Sequence, residues 1–116
     1  MSFGWHYEER RGAGVMHLAG NLGVDGTGRF TGAIGWVLAR AGGPLVLEVG
    51  GLLGWSPEGE AAVLALARRL SGRSHPLALC GVGALPIRTL TANSLIPITV
   101  HADLDSALNA LEADRE

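Results

Sequence analysis

The segment Gly26-Thr27-Gly28-Arg29-Phe30-Thr31-Gly32 has a spacing that could bring a backbone close to a phosphate. Glycines there would let a pyrophosphate reach a helix N-terminus, and Glu48 follows Gly28 by 20 residues, where a dinucleotide fold places a ribose-binding acid. Two features oppose that chemistry. Glu48 falls inside an apolar run rather than at its end, and 116 residues leave no room for a substrate domain. The chain has no lysine, so the phosphate loop that ends in Gly-Lys-Ser/Thr is excluded. His6, His17, His75 and His101 are scattered without the carboxylate or histidine spacing of a metal site, and no metal is expected. Cys80 is the only cysteine, which excludes a disulfide framework within the chain. It lies in an apolar stretch without a local His, as a small buried hydrophobe does. The remaining cluster is Ser56-Pro57-Glu58-Gly59-Glu60. Its residue types fit a helix start: a hydroxyl cap, proline at the first helical position, and carboxylates in the first turn.

These residues need elements to hold them, and the hydrophobic pattern supplies a set. Phe3 to Glu8 alternates with period two and reads as a strand. Gly12 and Gly14 turn the chain into a second strand, Gly14 to Leu22. A glycine-rich connection through Gly23, Gly26 and Gly28 precedes a helix from Thr27 to about Arg40. Its stripe is Phe30, Ala33, Ile34, Val37 and Leu38. Leu45 to Val49 reads as a buried strand, and the helix that Ser56 caps runs to Leu70. A strand at Leu77 to Val82, a helix at Ala84 to Ser94, a strand at Ile96 to Ala102 and a helix at Ser106 to Asp114 complete the order. Asp103 or Asp105 is the expected cap of the last helix. Trp55 reads either as a staple packed back on the second helix or the core, or as an exposed interface anchor.

The expected fold class is therefore α/β: one domain over residues 1–116, with a mixed, mainly parallel sheet, an N-terminal antiparallel hairpin and about four helices. Composition agrees. Hydrophobic residues make up 47% and charged residues 17%, too apolar for disorder. There are 18 glycines without a collagen period. The formal net charge is −2 with no basic block, which argues against nucleic-acid binding. No apolar stretch approaches membrane-spanning length and the N-terminus carries no signal-peptide pattern, so a cytoplasmic protein is expected.

In order and in local residues the chain resembles a STAS domain, the fold of bacterial anti-sigma factor antagonists. Leu18-Ala19-Gly20-Asn21-Leu22-Gly23 is similar to the family's Gly-Glu-Leu-Asp, and Leu47-Glu48-Val49-Gly50-Gly51-Leu52 to its Asp-Leu-Ser-x-Val. Ile98 to Leu111 is similar to its closing strand and helix. The family's phosphorylation motif, Asp-Ser-Ser-Gly, matches Ser56-Pro57-Glu58-Gly59. The glycine is kept. Glu58 occupies the phosphoacceptor position and cannot be phosphorylated, Ser56 stands where the family has aspartate, and Gly23 replaces the aspartate of Gly-Glu-Leu-Asp.

The resemblance implies a non-enzymatic interaction module without a cofactor. Its partner would be an anti-sigma factor or a related kinase-fold regulator, and its role the control of sigma-factor-dependent transcription. The implied contact residues are Gly23, Asp25, Thr27, Leu53, Trp55, Ser56, Glu58, Gly59 and Ala62. Glu58 then reads either as a permanent mimic of the phosphorylated state or as part of a rewired interface. Ser56 is a poor substitute acceptor because its hydroxyl suits a helix cap. Two other classes remain beside this one: a small-ligand or nucleotide-binding domain that uses the same glycines, and a homodimer or structural assembly subunit.

Overall fold

The computed structural model describes residues 3–73, 75–83, 85, 87 and 98–114. Among them are five strands in one sheet, ordered as in the sequence. β1 (Gly4–Arg10) pairs antiparallel with β2 (Ala13–Leu22). Arg11 and Gly12 form the two-residue turn between them, both at positive φ (54° and 79°). That is the backbone twist a tight hairpin needs, and it shifts the expected turn one residue back from Gly14, which is already in β2. β3 (Leu45–Trp55), β4 (Leu77–Cys80) and β5 (Ile98–His101) then add in parallel.

Helix α1 (Val24–Arg40) connects β2 to β3, and α2 (Pro57–Ser71) connects β3 to β4. Both bury their stripes on one face of the sheet. Phe30, Ile34, Val37 and Leu38 of α1 and Val63, Leu66 and Leu70 of α2 share a core with Met16, Leu18, Leu45, Leu47 and Leu79. Helix α3 (Leu104–Asp114) packs on the opposite face. There Ala107, Leu108 and Leu111 meet Ala13, Val15, Val46, Ala78 and Cys80. Arg11 at the hairpin turn reaches both carboxylate oxygens of Glu112 at 2.6 Å, which ties α3 to the sheet margin.

Three sequence expectations need correction. The glycine-rich connection is not a loop: α1 begins at Val24, three residues before Thr27, so Gly26 and Gly28 are helical. Gly26 is buried, and a Cβ there would stand 3.0 Å from Phe3 Cβ and 3.3 Å from the Asn21 carbonyl. The absent side chain lets the first turn pack against the end of β2, and that packing outweighs the low helix propensity of glycine.

β3 does not stop at Val49. It continues to Trp55, so Leu53 and Trp55 are strand residues rather than loop residues. Its pairing with β2 shifts register twice, and Gly51 and Gly54 lie within that irregular stretch. The glycines that look like strand breakers in sequence serve here to bulge a strand that a neighbour holds in place. The last helix starts at Leu104 rather than Ser106, with the Asp103 carboxylate accepting from Ser106 N at 2.8 Å. The helix expected at Ala84 to Ser94 lies outside the described residues.

Candidate functional site

The parallel strands β2 and β3 end together, with Leu22 beside Trp55. Both helix N-termini therefore emerge at one end of the sheet. Two contacts with one carbonyl lock them together. Leu22 O accepts from Ser56 N at 3.0 Å, and Gly59 packs against the same carbonyl so closely that a Cβ on Gly59 would collide with it. Ser56 is the N-cap of α2: its Oγ accepts from Gly59 N at 3.2 Å, and Pro57 takes the first helical position. Gly23 caps α1 with no side-chain bond, and its carbonyl accepts from Gly26 N and Thr27 N at 2.9 and 3.1 Å. A Cβ on Gly23 would lie 3.8 Å from Ser56 Oγ, so the two caps are neighbours.

The expected contact residues divide. Gly23, Trp55 and Ser56 line a cleft at these two caps, Asp25 and Glu58 lie in the first turns of the capped helices, and Leu53 lines another cleft, of about 340 Å3, with Gly50, Gly54, Trp55, Gly81 and Val82. Asp25 and Glu58 are exposed, Leu53 is 66% exposed, and Trp55 is half-buried against the main core. Thr27 is half-buried and its hydroxyl donates to Val24 O at 3.1 Å, so it serves the helix. Gly59 is buried under the caps. Ala62 lies a turn further in, in a crevice between α1 and α2 beside Phe30, Ile34 and Leu66. Sequence reasoning missed Asn21 and Val24. Asn21 lines a cleft of about 290 Å3 with Gly23, Gly54, Trp55 and Ser56, and a second of about 220 Å3 with Asp25 and Arg29. Val24 is 67% exposed at the first turn of α1. A polar residue one place before the end of an apolar strand was the available signal for Asn21; Val24 carries none.

This end of the sheet thus exposes apolar side chains (Val24, Leu53) as well as carboxylates (Asp25, Glu58), with Val24 and Asp25 lining one cleft. The other chemical candidates lie elsewhere. Gly26 and Gly28 sit within α1 rather than in a strand-to-helix turn, so the dinucleotide spacing does not form its loop. Glu48 is in the middle of β3, where it accepts from Gly50 N at 2.8 Å and faces His17 Nδ1 at 3.4 Å. His17 Nε2 meets Glu8 at 2.6 Å on its other side. No group of His, Cys, Asp and Glu among the described residues is arranged to hold a metal ion. Cys80 is fully buried, and desolvation, reinforced by Glu48 and Asp103, pushes its thiol up to about 12. It is therefore a neutral thiol rather than a nucleophile near pH 7.

Nearly the whole chain matches known structures. It matches an anti-sigma factor antagonist from Mycobacterium paratuberculosis with a TM-score of 0.78 and 20% identity, over 96% of this chain and 95% of that one. It matches the antagonist SpoIIAA in its unphosphorylated form at 0.67 and 17%, over 97% and 98% of the two chains. A serine-to-glutamate variant of RsbS from Moorella thermoacetica matches at 0.74 and 16%, over 96% and 97%. This is the STAS fold. No family model and no curated protein sequence matches the chain. No helix among the described residues of this STAS-type domain is long and apolar enough to cross a membrane.

Proposed function

We propose that this chain is an anti-sigma factor antagonist-like interaction module. It acts in the cytoplasm without chemistry of its own, binding an anti-sigma factor or related kinase-fold regulator through the start of α2 and the adjoining ends of β3 and α1. The observation that carries this reading is the division of labour at Ser56-Pro57-Glu58-Gly59. Ser56 Oγ is engaged as the helix cap, while Glu58 stands exposed at the position that the resemblance assigns to the phosphoacceptor. The near full-length match to several anti-sigma factor antagonists supports the same reading.

A surface that exposes Val24, Leu53, Asp25 and Glu58 suits a partner that presents arginine or lysine beside an apolar patch. Glu58 supplies one fixed negative charge where a phosphoserine would carry about −1.5 to −2. Binding therefore depends on a charge that no kinase can add or remove.

The test is titration calorimetry of the purified chain with anti-sigma factor kinases from the same genome. One kinase should bind, and Glu58→Arg should abolish that binding. Glu58→Ser should convert the chain into a phosphorylation substrate. No binding to any of them, or binding indifferent to Glu58→Arg, removes the reading.

A further inference from the structure

β1 is the outer strand on one side of the sheet, and among the described residues it pairs with β2 alone. An edge strand offers a row of free N–H and C=O groups, which proteins usually blunt with charged side chains, proline or a bulge. β1 has charges at its end, Glu8, Glu9 and Arg10, but no proline and no bulge: Gly4-Trp5-His6-Tyr7-Glu8-Glu9-Arg10 keeps an unbroken register against β2, from Gly4 opposite Ala19 to Arg10 opposite Ala13. The two-residue turn determines which backbone groups are free. Arg10 and Ala13 flank that turn and bond to each other, so by alternation Glu8, His6 and Gly4 also point at β2. Glu9, Tyr7 and Trp5 present their N–H and C=O groups outward.

We propose that this edge is a homodimerisation surface. A second copy adds its own β1 antiparallel about a two-fold axis through Tyr7, and the two sheets become one. The strand's own symmetry argues for a second copy as the occupant. Tyr7 is the central residue of Gly4–Arg10, and it is one of the outward-pointing ones. A two-fold axis there sets Tyr7 against the partner's Tyr7 and Trp5 against the partner's Glu9, each pair exchanging two backbone bonds. His6, which is exposed, then stands directly across from the partner's Glu8, and the same contact recurs on the other side of the axis.

An axis at His6 or Glu8 leaves only two of the three outward residues paired within Gly4–Arg10, and axes through the other outward residues are worse. Moving the axis to Glu9 sets two Glu9 carboxylates against each other. Moving it to Trp5 requires Phe3, which is buried in the core. On the α1 side of the sheet the same edge carries an aromatic ledge. Trp36 packs edge-on against Trp5 and Tyr7 with ring centroids 5.6 Å from each, and Arg40 stacks over it at 3.6 Å. Trp36 is nonetheless 42% exposed, and a two-fold axis through Tyr7 brings the two ledges together. This surface shares no residue with the start of α2, so it does not depend on the proposed function.

Sedimentation velocity of the full chain, from micromolar to submillimolar concentration, tests it. The expected result is a reversible monomer–dimer equilibrium. Glu9→Pro removes an outward N–H that β2 does not use, which an edge strand tolerates, so the circular dichroism spectrum should be unchanged while the dimer is lost. His6→Glu, a surface change that opposes two carboxylates across the axis, should weaken dimerisation by roughly tenfold or more. A chain that stays monomeric throughout, or a dimer that survives both changes, overturns the proposal.

Discussion

Helices α1 and α2 start side by side at the ends of paired strands, yet they start for different reasons. The first turn of α2 is written into its own residues: Ser56 caps Gly59 N, Pro57 follows, and Glu58 and Glu60 lie in the first turn. The first turn of α1 has no side-chain cap, and glycine occurs at its third and fifth positions, Gly26 and Gly28. It holds because Gly26 fits beneath Phe3 and the Asn21 carbonyl. The comparison teaches that one end of a sheet can combine a locally encoded helix start with one that exists only in the folded molecule. Both are then pinned by the end of β2.

The sharpest way to break this comparison is Gly59→Ala. The new methyl group collides with the Leu22 carbonyl, which also accepts from Ser56 N, and neither backbone segment can move independently. Urea unfolding should show a loss of about 3 kcal/mol. A loss below about 1 kcal/mol would mean that the junction is not rigid.

Gly26→Ala comes next. It gains about 1 kcal/mol of helix propensity and loses more to overpacking against Phe3, for a net destabilisation of about 1–2 kcal/mol. A stabilised variant would show that the start of α1 is local after all. Ser56→Ala removes the cap and should cost about 1 kcal/mol in the same assay. Gly28→Ala is the control within the same helix. Nothing lies within 4 Å of its would-be Cβ, so propensity acts alone and the variant should be stabilised by roughly 0.5–1 kcal/mol.

The smallest effect concerns a third helix start. Asp103 accepts from Ser106 N, and that bond holds its carboxyl below the ordinary value of 3.8. Since the folded value is depressed, its stabilising contribution is complete above the unfolded value and is lost as pH falls through the folded one. Asp103→Asn, which keeps an acceptor oxygen but does not titrate, should flatten the acid limb of the stability profile slightly. An acid limb identical to that of the parent chain would show that the cap contributes nothing through its charge.

How legible the molecule was in its sequence follows the same division. The stripe of α1, the cap of α2 and the burial of Cys80 could be read directly, since each depends on periodicity or on neighbours within one turn. The extension of β3 to Trp55 could not. Gly51 and Gly54 have low strand propensity, and pairing with Ala19 and Asn21 of β2 keeps them in the ladder. The candidate site was partly legible. Ser56, Glu58 and Gly59 stood out by type and spacing, whereas Asn21 and Val24 line its clefts because β2 and β3 end at the same level. His17 lay beyond sequence reading too, since Glu8 and Glu48 reach it from different strands.

By itself, then, the sequence determined the order of the described strands and helices, the apolar faces and the chemistry of the α2 cap, because these rest on short-range sterics, hydrogen bonding and periodic burial. Tertiary structure alone decided that α1 begins at Val24, that β3 bulges rather than breaks, and that two helix starts share one carbonyl. Those outcomes depend on contacts between residues far apart in the chain, where the absence of a Cβ matters only once another backbone occupies its space.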